Sequence, residues 1–294
     1  MVASDGFDRT LERMFDMLEP GCNTPSAAAI CPPYLTTVDL VVGVEIGNET
    51  DIELTTRLAH QAGQQLVRLR AEMWASGMHP WDVMDGGDAA SHRFIAEELR
   101  RHRPDDAVLD EEGAEDPRRF SADRVWIIDP LDGTREFGEQ GRPDWAVHIA
   151  LWDRDHFVCG AVALPAMGAT LTTDPAPVLP AASRQRPRII TSRNRAPHAA
   201  VVVANRLGCD AIRLGSAGAK AMAVVLGEAD IYVHDSGMYQ WDSAAPAAVA
   251  LAAGLHVSRI DGSPIVYNAR DPWLPDLIIC RKELAADVLT ALWG

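Results

Sequence analysis

The amino-acid sequence predicts a mixed fold, with an α+β first half followed by an α/β second half. A long amphipathic helix after residue 50 and short apolar strands between residues 107 and 164 indicate the first half. Beyond a proline-rich stretch, strands and helices alternate, which is typical of an α/β domain. We therefore expect an N-terminal extension (1–49), an α+β domain (50–183) and an α/β domain (184–294).

Local signals place the helices and strands of the first half. Thr50-Asp-Ile-Glu53 has the spacing of a capping box, and apolar residues follow it along one helix face. A second helix is expected over 89–101, because His102-Arg-Pro disfavours its continuation. Short apolar runs then predict strands over 107–109, 125–128, 145–152 and 157–164.

The second half is expected to follow residues 173–187, which hold four prolines and have the composition of an interdomain link. Beyond the link, the pattern predicts strands over 188–191, 211–214 and 231–234 and helices over 217–226 and 243–253. Residues 1–49 differ, because prolines and glycine break any helix there. We expect this segment to be either an N-terminal extension that can be disordered or sequence upstream of the true start. We assign it no function.

Composition narrows the class of protein and of partner. A net charge of −15 and a pI of about 4.9 disfavour binding to nucleic acid polymers or anionic membranes. No apolar run approaches a membrane span and no Lys/Arg-led signal peptide is evident, so a cytoplasmic location is the default expectation. The five cysteines form no Cys-x-x-Cys pair, which indicates reduced thiols rather than a disulfide framework or a zinc site.

The most informative motif is Asp129-Pro-Leu-Asp132-Gly-Thr134, directly after an apolar strand. A rigid turn there directs the two carboxylates and the Leu131 carbonyl toward one point, and hard divalent cations prefer such oxygen ligands. Gly133 and Thr134 can open a helix whose free N–H groups suit an anion. Metal and phosphate are therefore expected side by side, which is the layout of a metal-assisted phosphatase.

Other acidic clusters have ordinary explanations when each is taken alone. They are Asp85-Gly-Gly-Asp88, Asp110-Glu111-Glu112-Gly113 and Trp241-Asp242. An aspartate ahead of a helix usually caps it, a Glu-Glu pair is usually a solvated loop, and Asp-Gly is usually a turn. Two strand-end carboxylates that share one turn are different, because they repel each other unless a positive charge lies between them.

These motifs resemble the signatures of the inositol monophosphatase superfamily, in the family's order, from about residue 51 to the C-terminus. The resemblance implies a layered α-β-α-β-α sugar-phosphatase fold and a phosphatase that uses two or three Mg²⁺ ions. Asp85 is a candidate carboxylate for a third ion. The motifs that carry the resemblance are Glu111-Glu112-Gly113, Trp126-Ile-Ile-Asp129-Pro-Leu-Asp132-Gly-Thr134 and Trp241-Asp242-Ser-Ala-Ala.

The resemblance also implies roles for individual residues. Asp129 would bridge two ions, and Asp88 and Thr134 would orient the attacking water, with Glu111 helping through a metal. The expected metal ligands are Glu111, Asp129, the Leu131 carbonyl, Asp132 and Asp242, and the expected catalytic residues are Asp88, Glu111 and Thr134.

Two further segments resemble the CysQ-type nucleotidases within the superfamily, which implies hydrolysis of 3′-phosphoadenosine 5′-phosphate to AMP and phosphate, a step connected with sulfate assimilation. Arg135-Glu136 follows the Gly-Thr pair, and Gly215-Ser216 precedes Lys220 with one residue more than the common spacing. Lys220, Arg135 and Arg193 are candidate cations for the second phosphate, although a solvated lysine and a local Arg135–Glu136 salt bridge stay open. The expected substrate-binding residues are Asp132, Gly133, Thr134, Arg135, Ser216, Lys220 and Asp242.

Alternatives remain at this stage. Inositol monophosphate or fructose 1,6-bisphosphate is the alternative substrate, and a catalytically silent metal- or nucleotide-binding regulator is the non-enzymatic alternative. A purely structural subunit would not explain why acidic groups gather at repulsive spacing. The resemblance further implies inhibition by lithium, and because dimers are common in the superfamily a homodimer is an open expectation.

Overall fold

The computed structural model describes residues 49–182 and 184–294, so the predicted extension lies outside the described residues except for Glu49. Helix α1 (Asp51–Ala75) begins at the predicted capping box. The Thr50 backbone N–H donates to Glu53 at 2.8 Å, and the Glu53 N–H donates to the Thr50 hydroxyl at 3.4 Å. Each pair satisfies an orphan donor of the first turn, so this helix start is specified locally.

Helix α2 (Pro80–His102) begins well before the predicted residue 89. The His79 side chain accepts a hydrogen bond from the Trp81 N–H, and Pro80 occupies the first turn, where its missing N–H costs nothing. The ordinary explanation of Asp88 as a helix cap is therefore wrong, because Asp85 and Asp88 both lie within the helix.

The first sheet contains β1 (Ala107–Asp110), β2 (Arg124–Asp132), β3 (Ala146–Asp153), β4 (His156–Leu164) and β5 (Ala169–Thr172) in sequence order. The β1–β2 pair is parallel and the others are antiparallel. Strand β2 does not end at the proline as predicted. Pairing is irregular between Asp129 and Asp132 and resumes at Asp132, opposite Ala146. Because Pro130 has no N–H to donate, the ladder is interrupted there and not ended.

The elements after β2 that lie outside the first sheet are, in chain order, α3 (Thr134–Phe137), β6 (Arg188–Ser192), α4 (His198–Leu207), β7 (Asp210–Leu214), α5 (Ala217–Val225), β8 (Ile231–His234), β9 (Met238–Tyr239), α6 (Gln240–Ala252), β10 (His256–Ser258), β11 (Trp273–Leu274), β12 (Leu277–Cys280) and α7 (Ala285–Trp293). The second sheet has the strand order β10-β12-β8-β6-β7, with parallel pairs around β6 and antiparallel pairs around β12. Strands β9 and β11 form a separate antiparallel pair.

Helices and sheets form five layers. Helices α1 and α2 cover one face of the first sheet, and α6 packs on its other face beside α5. Helix α5 contacts β6, β8 and β12 of the second sheet, whose opposite face carries α4 and α7. This order is the expected α-β-α-β-α arrangement, so the predicted fold class is confirmed. Helices α5 and α6 form the middle layer, and both begin next to the end of β2. The residues at these three chain segments therefore lie close together.

Each outer layer has its own apolar core. Leu54, Leu58, Trp126, Ile149 and other residues form one core between α1, α2 and the first sheet. The second core lies between α4, α7 and the second sheet. A division of the chain at residues 183/184 stays a prediction. Among the described helices, none is long and apolar enough to cross a membrane.

Candidate active site

Three carboxylates from distant parts of the chain meet at the end of strand β2. Ligand oxygens of Asp129, Asp132 and Asp242 all lie within 4.8 Å of one another. The first two come from the interrupted end of β2. Asp242 is the third residue of α6, which begins at Gln240 and not at the predicted residue 243. Its carboxylate accepts the Tyr239 N–H at 2.5 Å, so the start of this helix fixes its position.

The electrostatics of this cluster favour a bound cation. Burial, followed by repulsion from Glu111, raises the pKa of Asp129 well above its usual range. Burial and then Asp132 raise the pKa of Asp242 to about 6. Glu111 lies at the open edge, where partial desolvation and then Asp242 raise its pKa to about 7. Oxygen donors that repel one another fit a hard divalent cation, which would replace the protons they otherwise retain.

Asp132 is held differently from its neighbours. Its carboxylate accepts the Ser216 hydroxyl, the Gly218 N–H at 2.6 Å and the Ala217 N–H at 3.1 Å, all at the N-terminus of α5. Burial alone would raise its pKa, but the charge of His148 and these hydrogen bonds lower the pKa to about 2. Asp132 is therefore ionised throughout the neutral range and joins strand β2 to helix α5.

His148 was not singled out from the sequence as a site residue, although it lies beneath the cluster. It is fully buried, with Nε2 3.2 Å from an Asp132 oxygen and Nδ1 3.3 Å from the Trp241 carbonyl. Gly218 leaves room for the ring, because a Cβ there would lie 2.0 Å from Nε2. His148 thus contacts the segments that carry Asp132 and Asp242. Its only sequence signal was a histidine on a strand otherwise buried and apolar.

Thr134 begins α3 immediately beyond the cluster. Its hydroxyl lies 3.1 Å from the Leu131 carbonyl and 3.5 Å from the Asp88 carboxylate. Gly133 has φ +85°, and a Cβ there would press against Ser216, so this turn requires glycine. Asp88 is half-buried, and desolvation followed by Glu112 raises its pKa to about 8. The structure therefore brings Asp88 and Thr134 together beside the carboxylates.

A cleft of about 330 Å³ opens next to the cluster. Six of the seven residues predicted to bind substrate line it, and Asp242, the seventh, belongs to the acidic cluster. Asp132 belongs to both, so the cleft and the cluster are continuous. The full lining is Asp132, Gly133, Thr134, Arg135, Glu136, Ser192, Arg193, Asn194, Gly215, Ser216, Ala217 and Lys220.

A model of the inositol monophosphatase family matches residues 49–293. The chain belongs to this family. A 3′-phosphoadenosine 5′-phosphate phosphatase of Mycobacterium bovis is 47% identical over 239 residues, covering 79% of this chain and 89% of that protein. The 3′(2′),5′-bisphosphate nucleotidase CysQ of Escherichia coli strain K12 is 28% identical over 245 residues, covering 76% and 96%. The predicted resemblance to the superfamily and to its CysQ branch is confirmed.

Solved structures of the family agree with the fold. The crystal structure of inositol monophosphatase II from Staphylococcus aureus MSSA476 gives a TM-score of 0.69 at 20% identity, covering 81% of this chain and 91% of that chain. This likeness confirms the inositol monophosphatase fold.

The three basic side chains that line the cleft differ in how many of their hydrogen-bond donors are already used within the protein. Arg193 lies 3.1 Å from Glu136 and 2.6 Å from Glu139. Lys220 is buried, and its ammonium donates to the Gly215 carbonyl and, at 2.9 Å, to the Ser216 carbonyl. Arg135 is exposed and makes no hydrogen bond or ion pair with the part of the chain that the structure describes. The ammonium of Lys220 thus lies beneath the Gly215-Ser216 segment. Its predicted role in substrate binding stays a prediction.

A larger cavity of about 510 Å³ lies between α1 and the segment after α3, away from the acidic cluster. Its lining is mostly apolar, including Val67, Trp74 and Trp145. The guanidinium of Arg70 there donates to four backbone carbonyls, among them those of Phe137 and Arg142. Because the lining holds no carboxylate and its cation is satisfied, the smaller cleft is the candidate active site.

Proposed function

We propose that this chain hydrolyses 3′-phosphoadenosine 5′-phosphate to AMP and phosphate with Mg²⁺ as its metal. The observation that carries the proposal is the continuity of an arginine-containing cleft with a buried acidic cluster through Asp132. The name and 47% identity of the M. bovis relative support the same substrate. Such a reaction removes a by-product of sulfate assimilation.

The cleft suits a substrate with two phosphate groups. The phosphate to be cleaved would lie against the acidic cluster and the N-terminal turn at Gly133 and Thr134. The other phosphate would extend toward Arg135 and Arg193. Arg193 lines the cleft, where Glu136 and Glu139 hold its guanidinium in place. Arginine suits phosphate because its planar fork can donate two parallel hydrogen bonds.

The metal would be held by the residues that the family resemblance implies. Bound Mg²⁺ supplies a water of lowered pKa and stabilises charge on the transferring group. Thr134, whose hydroxyl lies near both Leu131 and Asp88, would orient the attacking water together with Asp88. Buried carboxylates with raised pKa values support an oxygen-ligand site. The proposed ligands, for two or three ions, are Glu111, Asp129, the Leu131 carbonyl, Asp132 and Asp242.

Phosphate release from three substrates tests the proposal. We would assay 3′-phosphoadenosine 5′-phosphate, inositol 1-phosphate and fructose 1,6-bisphosphate, each with Mg²⁺ and with EDTA. We expect strong Mg²⁺-dependent preference for the nucleotide. A preference for fructose 1,6-bisphosphate or inositol 1-phosphate would be consistent with the metal site but would contradict the proposed substrate. Thermal stabilisation by Mg²⁺ and nucleotide without phosphate release would favour the silent regulator instead.

Two further predictions accompany the proposed function. The family resemblance leaves a homodimer open, which sedimentation velocity would measure. A cytoplasmic location stays a prediction as well, and fractionation of expressing cells would measure it.

A further inference from the structure

Three aromatic side chains form a group beside Asp242. The rings of Tyr239 and Trp241 are stacked, with centroids 4.6 Å apart and planes 11° apart. Trp273 meets Tyr239 edge-on at 5.3 Å. Strands β9 and β11 hold this geometry, because Trp273 pairs directly with Tyr239 in their register. We call Tyr239, Trp241 and Trp273 the aromatic group.

Two members of the aromatic group are exposed although their rings are large and apolar, and Trp241 is half-buried beneath Tyr239. Tyr239 is 43% exposed and Trp273 is 46% exposed. The turn before β9 is shaped around Trp273, since a Cβ at Gly237 would lie 1.9 Å from the indole. A fixed, exposed cluster of rings is more often a contact surface for a ligand than a part of the core.

The position of the aromatic group relative to the acidic cluster indicates which kind of ligand it can contact. Trp241 precedes Asp242 in the chain, and the Tyr239 N–H donates to the Asp242 carboxylate at 2.5 Å. The cleft with Arg135 and Arg193 begins instead at Asp132. The aromatic group therefore adjoins Asp242 along the chain, whereas Arg135 and Arg193 line the cleft that contains Asp132.

A nucleoside 3′,5′-bisphosphate has the matching order of groups. Along the ribose ring, C3′ carries the phosphate to be cleaved, the base is attached at C1′ beyond C2′, and the 5′-phosphate is attached through C5′ at C4′, so base and 5′-phosphate flank C3′ in the order of the ring atoms. We propose that the aromatic group is the subsite for the nucleobase, on which the base stacks against Tyr239 and Trp273. This inference rests on the proposed function and names the part of the site that selects a nucleotide over a sugar phosphate.

Calorimetric titration with AMP and with ribose 5-phosphate, each in the presence of Mg²⁺, tests the subsite. The ratio of the two affinities measures what the base contributes to binding. The native chain is expected to bind AMP about tenfold more tightly than ribose 5-phosphate, in the range of one stacked base. Tyr239→Ala and Trp273→Ala should remove most of this ratio, whereas Tyr239→Phe, which keeps the ring, should retain it. Trp293→Ala is the control, because Trp293 is 65% exposed and lies on α7, outside the site.

Kinetics give a second readout. The two alanine variants should raise KM for 3′-phosphoadenosine 5′-phosphate about tenfold with little change in kcat, and leave inorganic phosphate inhibition unchanged. Native-like AMP preference in both alanine variants, or equal binding of AMP and ribose 5-phosphate by the native chain, would overturn the subsite. If the bisphosphate is not hydrolysed and the AMP preference still depends on the rings, the proposed function fails while the subsite stands.

Discussion

The imidazole of His148 lies against the carboxylate of Asp132, with Nε2 3.2 Å from Oδ2, in space that exists because residue 218 is glycine. The other ring nitrogen lies 3.3 Å from the Trp241 carbonyl. One buried side chain of β3 therefore contacts both segments that deliver the acidic cluster. Metal affinity should depend on how well this ring fits.

Gly218→Ala tests that fit. The new Cβ would lie 2.0 Å from Nε2, so His148 or the start of α5 must move, at a cost of about 1–3 kcal/mol for overpacking. We expect a higher Mg²⁺ concentration for half-maximal activity and a kcat/KM reduced about tenfold or more. His148→Ser should make room for that methyl group, and the double variant should exceed Gly218→Ala in Mg²⁺ affinity. Simple additivity in this double-mutant cycle would contradict the prediction.

Asp129→Asn should abolish phosphate release while the fold remains intact. Asp129 is 1% exposed and is repelled by Glu111 and Asp132, so a neutral amide removes that repulsion. In EDTA we expect an unchanged or higher Tm by calorimetry. Asp155→Asn is the control, because the Asp155 side chain is 93% exposed. Retained activity in Asp129→Asn would reject the metal site.

Stabilisation by Mg²⁺ should grow with pH. Folding raises the pKa of Asp129 and brings those of Asp88, Glu111 and Asp242 to about 8, 7 and 6. Between about pH 4 and pH 8 the folded state thus binds more protons than the unfolded state, and the metal-free protein loses stability as pH rises. Mg²⁺ replaces those protons. We expect a larger Mg²⁺-induced rise in Tm at pH 8.5 than at pH 6, and equal rises would contradict the assignment.

Arg135→Ala should weaken binding of the substrate with two phosphates selectively. Arg135 is exposed in the cleft and free of ion pairs to described residues, so its guanidinium can meet the 5′-phosphate. We expect KM for 3′-phosphoadenosine 5′-phosphate to rise about tenfold, in the range of a hydrogen bond to a charged group, with inositol 1-phosphate unaffected. Arg68→Ala, at an exposed position of α1, is the control. Equal effects on both substrates would remove Arg135 from the proposed subsite.

Local sequence determined the features whose partners are close along the chain. Thr50 and Glu53 specify the start of α1 within one turn. Asp129 and Asp132 lie at the end of β2 that Pro130 interrupts, and Thr134 follows at the start of a helix. Such geometry depends on a few neighbouring dihedral angles, so the motif predicted a metal beside a phosphate before any packing was known. Similar local patterns predicted the order of most strands.

Tertiary structure alone decided the features whose partners are far apart in sequence. No spacing relates Asp132 to the N–H of Gly218, or His148 to Trp241. The motif around Lys220 did not predict that its ammonium is buried and donates to the Gly215 and Ser216 carbonyls. This burial depends on the packing of the helix that carries Lys220. The Tyr239–Trp273 contact likewise requires two short strands to pair although α6 and β10 separate them in the sequence. Chain entropy leaves such distant pairs unspecified until the layers pack and fix them.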